Sequence, residues 1–206
     1  MEFSFETQQE YNDQTFRRVN YAGKQVNRRL FDHCVFANCT FAETTFANCK
    51  FRDCTFRECD LRLVQVPGST FTNTGFERSK VTGVNWTTSA WPKGGLFTPV
   101  HFTDCDIGLS VFFGLDLKKI QIVRCSAKGT DFAEADLTQA DCTGTDFTES
   151  RFLHTDLTEA DFTGATSYSI AASMNTLKKT KFALPEVVGL LYGLDIIIVN
   201  AESMQT

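Results

Sequence analysis

Residues 31–56 read F-D-H-C-V-F-A-N-C-T-F-A-E-T-T-F-A-N-C-K-F-R-D-C-T-F, with Phe31, Phe36, Phe41, Phe46, Phe51 and Phe56 five apart. A spacing of five fits neither the 3.6-residue period of a helix nor the two-residue period of a strand. It fits a chain that turns a corner every five residues. Outward from this stretch the column runs back through Val26, Tyr21 and Phe16 and on through Leu61, Val66, Phe71, Phe76, Val81, Trp86 and Trp91. It slips by one residue, then resumes from Phe102 to Phe162. Fifteen of the 20 Phe occupy this central position, where chance would put about a fifth of them.

A second column, two residues before each centre, holds mostly small residues and takes seven of the eight Cys. One large and one small side chain then point inward per side, and the rest point out. Four sides make a coil of 20 residues, so Phe16, Phe36, Phe56 and Phe76 stack. With coils about 4.8 Å apart, the two runs predict roughly seven coils and a rod about 35 Å long. Lys24 and Arg29 break the small column, which marks the first coil as loose or as a cap.

The remaining segments divide the chain. Residues 1–13 are polar and read as a tail or short cap, and 14–166 hold the repeat. Residues 92–99 contain two Pro and two Gly, a loop leaving the rod, with Pro92, Lys93, Gly94, Gly95, Leu96 and Phe97 as contact candidates. Residues 167–206 change character. Ala183-Leu184-Pro185-Glu186 reads as a helix start, followed by an apolar face of Val187, Val188, Leu190, Leu191 and Leu194. Ile196–Val199 follows as a strand-like strip. A solenoid needs a cap over its last coil. This segment, with Leu184 and Ile196, is more apolar than a cap requires and predicts a homodimer interface.

Several classes are excluded or disfavoured. No apolar run reaches the 18 or so residues of a transmembrane helix. The start has no basic and apolar leader pattern, and eight Cys in phase with a repeat point to a reducing cytoplasm. Their C-x4-C spacing resembles a metal site, but residues five apart lie on different sides of the coil. They read as small buried residues, and Cys54→Ser is expected to cost about 1–3 kcal/mol. His33, His101 and His154 are scattered, and no catalytic triad, phosphate loop or metal motif is present, so no enzyme, metal or cofactor is expected.

The acids are concentrated. Residues 131–166 carry nine acids against Arg151, a net −8, while the whole chain is −5. Asp131, Asp136, Asp141, Asp146, Asp156 and Asp161 all precede a centre, and the pairs 136/156 and 141/161 are 20 apart. Over two coils this approaches one charge per ~1.2 Å, against about one per 1.7 Å for duplex DNA. Outward Asp residues are not needed for packing, so reversing Asp136, Asp141, Asp156 and Asp161 to Lys is expected to leave the fold nearly intact. The N-terminal half is basic, with Arg28, Arg29, Lys50, Arg52, Arg57 and Arg62.

Ala135-Asp136-Leu137-Thr138-Gln139 and Ala160-Asp161-Phe162-Thr163-Gly164 resemble the A-(D/N)-(L/F)-x-x signature of the pentapeptide-repeat family. The resemblance implies an all-β fold, a right-handed quadrilateral β-helix with a C-terminal helix/strand cap. Gly83–Pro92 followed by the break, and the ending Phe182-Ala183-Leu184-Pro185-Glu186, are similar to the topoisomerase-protecting members. These are the Qnr and MfpA type, the microcin B17 immunity type and above all the albicidin-resistance AlbG type. That resemblance implies a cytoplasmic homodimer that mimics DNA, binds DNA gyrase or topoisomerase IV, and relieves a poison such as albicidin or a quinolone. The acidic balance of the chain argues against direct, strong binding to nucleic acid, and no membrane partner is expected. The alternative is a generic scaffold of the same family that binds another protein.

Overall fold

A computed structural model describes residues 4–92, 99–191 and 196. Short strands of two to four residues pair in parallel, each with the segment one coil later. Tyr11 pairs with Phe31, Phe31 with Phe51 and Phe51 with Phe71; Phe16, Phe36, Phe56 and Phe76 pair likewise. The 20-residue coil is therefore real, and the all-β parallel solenoid has about eight turns.

The repeat reaches further than 14–166. Tyr11 belongs to it at one end, and at the other Asp161–Phe162 pairs with Lys181–Phe182. That extension accounts for the extra coil.

Each corner has the same physical origin. The residue two past a centre takes a left-handed conformation, as at Arg18 (φ 54°), Glu58 (φ 55°), Gln139 (φ 58°) and Glu159 (φ 58°). Such a backbone costs a non-glycine residue free energy, and the stacked ladder offsets it. At many corners the small-column N–H also closes a turn onto the preceding centre, as Ala135 N–H does to Phe132 O (3.1 Å).

The centres fill the interior. Phe16 and Phe36, Phe36 and Phe56, and Phe56 and Phe76 stack face to face with centroids 5.1, 4.5 and 5.1 Å apart. Each fully buried Phe contributes about 1.5–3 kcal/mol. Phe5, which the sequence places in a tail, is 0 % exposed. Its ring plugs the open end of the tunnel, 4.9 to 5.7 Å from Tyr11, Phe16, Tyr21 and Phe31. Arg29 holds the plug: its Nε donates to Phe5 O (2.9 Å) and its guanidinium pairs with Glu6 (2.8 Å). Lys24 lies over the Tyr21 ring. The two breaks in the small column are parts of the cap.

The interruption is larger than a one-residue slip. Phe76 pairs with Phe102, 26 residues on, so one coil carries six additional residues. In the sequence they fall between Trp91 and Val100. Gly75 is needed, because a Cβ there would lie 2.5 Å from the His101 ring.

The C-terminal segment differs from expectation. Residues Glu186–Leu191 form a 3-10 helix of six residues rather than an α-helix, so no amphipathic α-face exists there. Tyr168 and Phe182 cover Phe162 and close the last coil. Leu194 and the strip 197–199 lie outside the described residues, as do Lys93, Gly94, Gly95, Leu96 and Phe97.

Candidate interaction surface

The structure places the six aspartates on all four sides of the rod. Asp141 and Asp161 are register partners on one side, Asp136 and Asp156 on another. Asp146 follows Ser126 on a third, and Asp131 lies between Val111 and Arg151 on the fourth. The acids therefore form a belt around two coils rather than a stripe along one face.

Each carboxylate also has work in the fold. Asp136 Oδ1 accepts from the Thr138 N–H (3.0 Å), Asp141 from Thr143 (3.1 Å), Asp146 from Thr148 (2.9 Å). Asp131, Asp156 and Asp161 accept likewise from Ala133, Thr158 and Thr163 at 2.9 Å. A short acidic side chain that satisfies the N–H two residues on is an Asx turn. Asn20 and Asn85 make the same bond to Ala22 and Thr87. Lys at these positions would forgo that bond, since an ammonium cannot accept a hydrogen bond, yet Lys80, Arg151 and Lys181 occupy equivalent register positions opposite Asp60, Asp131 and Asp161.

Four of the six have cationic neighbours, three of them from outside the acidic window. Lys118 pairs with Asp136 (3.0 Å), Lys128 with Asp146 (3.2 Å), Arg151 with Asp131 (3.2 Å) and Lys181 with Asp161 (2.9 Å). A charge sum over 131–166 misses Lys118, Lys128 and Lys181, so the field of the belt is weaker than −8 suggests. The Thr148 hydroxyl holds the Asp146 carboxyl below the usual range, with Lys128 adding to it. The Thr163 hydroxyl, with Lys181, does the same for Asp161. Burial works against ionisation of Asp136, but the Thr138 hydroxyl and N–H and the Lys118 ammonium outweigh it.

The other candidates are less assembled. Pro92 is exposed. Leu184, Leu191 and Ile196 are 79, 39 and 55 % exposed, while Val187, Val188 and Leu190 are half-buried and Leu190 packs against the core.

All eight cysteines are buried. The small column proves to be a column of donors. Cys34, Cys54 and Cys59 donate through Sγ to the carbonyls of Tyr11, Phe31 and Phe36 in the coil before (3.2–3.4 Å). Thr44, Ser69 and Thr130 do so through hydroxyls to Tyr21, Phe46 and Ile107 (2.7–3.1 Å). Burial pushes the thiols of Cys49 and Cys142 up, which keeps them protonated. Among the described residues, Asp32, His33 and Asp53 are the one group whose ligand atoms converge as metal ligands would. There His33 Nδ1 lies 2.8 Å from Asp32 Oδ1, and Asn73 donates to Asp53. No helix among the described residues is long and apolar enough to cross a membrane.

Comparisons agree with this geometry. The family description "Pentapeptide repeat region" matches residues 10–86 and 29–108, and "Pentapeptide repeats (8 copies)" matches 128–164. No curated protein matches the chain. Among solved structures, a trypsin-treated form of QnrB1, described as a plasmid-mediated fluoroquinolone resistance protein, superposes with a TM-score of 0.62. It shares 15 % identity over 90 % of this chain and all of that one. Full-length QnrB1 superposes at 0.55 with 16 % identity over 91 % of this chain. At such identity the likeness is one of fold.

Proposed function

The chain belongs to the pentapeptide-repeat family, and from that premise we propose that it is a non-enzymatic rod that docks on DNA gyrase, or topoisomerase IV, in place of duplex DNA and relieves a topoisomerase poison. The observation that carries the reading is the acidic belt, net −8 over 131–166, on a rigid support. A saddle that receives duplex is basic, and a rigid anion of comparable charge density competes for it electrostatically. The QnrB1-like fold and the resemblance to topoisomerase-protecting sequences favour the same target. The AlbG-like traits belong to this proposal too and point to albicidin beside the quinolones as the poison. The target is cytoplasmic, and the proposal places this chain with it. The apolar C-terminal residues would join two copies, with acidic belts near the centre and basic coils at the tips.

The Asx turns favour a second reading. Every belt aspartate has a folding role, so its presence needs no partner, and the rod could be a scaffold for another protein. One substitution separates the two. Asn keeps the cap, as Asn20 and Asn85 do, while removing the charge. Replacing Asp136, Asp141, Asp156 and Asp161 by Asn takes the window from −8 to −4 with its corners intact. Gyrase supercoiling with a poison present is the assay. The DNA-mimic reading expects protection to need at least tenfold more of the variant, and wild-type binding to weaken with salt. Protection that survives in the folded variant leaves the scaffold reading. If deleting 93–98 alone abolishes it, the loop carries recognition.

A further inference from the structure

Cations on this rod are mostly tied to acids. Arg57 pairs with Glu77, Arg62 with Asp60, Arg78 with Glu58 and Arg124 with Asp104, all within 3.3 Å. Lys118, Lys128, Arg151 and Lys181 pair with the belt. Arg28, Lys50 and Arg52, like Arg17 and Arg18, break the rule. All three are exposed, and none has an ion-pair partner among the described residues. They converge. Together with Asn48, Gln9 and the anchored Arg29 they line a groove of about 700 Å³ near the N-terminal end. Glu10 is the single acid in its wall.

Lys50 and Arg52 also line a second depression of about 300 Å³, beside Thr70, Thr72 and Pro92. The two make one trough along a side of the rod, with the cations at its middle. From the coil of Glu10 to the coil of Thr70 is three coil rises, about 14 Å. A strand of duplex presents about four phosphates over that length at 3.4 Å each. Over the coils of the trough, residues 9–72 carry nine bases and seven acids, a net +2 at the opposite end from the acidic belt.

We propose that this trough binds the phosphate backbone of duplex nucleic acid, through Arg28, Lys50 and Arg52. Guanidinium forks match phosphate oxygens, and Asn and Thr side chains are the neutral donors that accompany such contacts. No exposed aromatic platform lies in the lining, so stacking of single-stranded bases is not served. Among the described residues no helix is longer than six residues, so none can lie in a groove to read bases. The binding is therefore sequence-independent, and it needs neither the acidic belt nor a topoisomerase.

The test uses the full chain and a fluorescein-labelled 24-base-pair duplex, followed by anisotropy without any topoisomerase. Neutralising about three phosphates predicts a salt slope near −2.7, so raising NaCl from 50 to 200 mM should weaken binding about 40-fold. The triple variant Arg28→Gln, Lys50→Gln, Arg52→Gln should lose at least tenfold at 50 mM and most of its salt slope, with an unchanged thermal midpoint. Arg17→Gln with Arg18→Gln alters two other unpaired cations, away from the trough, and should change affinity less than threefold. Three results would overturn the proposal: no binding by the wild type at 50 mM NaCl, equal losses in the two variants, or tighter binding to a poly-glutamate peptide of matched charge. The last would assign the trough to an acidic protein segment. None of these outcomes bears on gyrase protection, which is measured separately.

Discussion

At the scale of single residues, the small column teaches that size is half of what the position selects. Read from the sequence, Cys, Ser, Thr and Ala in one column mean only that little room exists. In the structure most of them also donate to a carbonyl one coil back, and Ser69 and Ser79 accept from the N–H groups of Cys49 and Cys59 (2.8 and 3.0 Å). Those inward backbone groups would otherwise be buried without partners, at about 1–3 kcal/mol each. The earlier expectation for Cys54 therefore changes sign in its logic. Its Sγ already donates to Phe31 and Arg52, and a serine hydroxyl would find the same carbonyls. Cys54→Ser should change stability by less than about 1 kcal/mol. Cys142 is different. It sits at a centre, 0 % exposed, on the apolar axis. Cys142→Ser buries a hydroxyl there and should cost about 1–3 kcal/mol. Urea unfolding of the two variants is the measurement, and equal losses would refute the distinction.

At the scale of elements, the repeat was legible because every coil repeats one solution, whereas the ends and the insertion are each solved once. Periodicity finds Phe31 or Phe132 without help. It cannot find Phe5, whose ring plugs the tunnel from outside the five-residue phase and lies against six aromatic rings, from Tyr11 to Phe41. Nor can it tell that Arg29 is the bolt on that plug. The six inserted residues hide for a related reason: six is one side plus one, so the phase shifts by a single residue. The plug is open to test. Phe5→Ala would expose the axial ends of Tyr11, Phe16, Tyr21 and Phe31, and large-to-small core changes of this kind cost about 3–5 kcal/mol. Contacts in a solenoid are between neighbours, so the loss should be local. Hydrogen exchange should accelerate first over residues 10–32 and leave 131–166 protected. Uniform acceleration along the rod would argue that the plug is not a cap.

On the scale of the whole molecule, charge and apolar surface are both unevenly spread, and each spread makes a prediction. Four large apolar side chains, Met174, Leu184, Leu191 and Ile196, are exposed within the C-terminal segment, where a lone cap would bury them. Wild-type protein should sediment as a dimer at micromolar concentration, and Leu191→Asp, which leaves the half-buried Leu190 in place, as a monomer. A monomeric wild type would end that reading. The belt makes the last prediction. Sequence arithmetic located these acids but not their bonds, because an Asx turn and a cross-coil ion pair depend on corner geometry and on residues 18 to 20 positions away. Asp136, Asp146 and Asp161 have carboxyls held below the ordinary value near 3.9. A group with a depressed folded pKa contributes stability above its unfolded pKa and loses it as pH falls through the folded one. The thermal midpoint should therefore stay level from pH 7 to about 5 and fall below about 4, as carboxylates that accept from Thr148 and Thr163 are forced to take a proton. Asp146→Asn with Asp161→Asn keeps both turns through an uncharged acceptor but gives up the ion pairs to Lys128 and Lys181. Exposed pairs of this kind are worth little, so the double variant should lose only slightly at pH 7 and fall less steeply in acid. A scan of thermal midpoints from pH 7 to 2.5 decides it: an acid limb of unchanged steepness in the double variant would mean that these carboxylates are spectators, and that acid acts on the rod elsewhere.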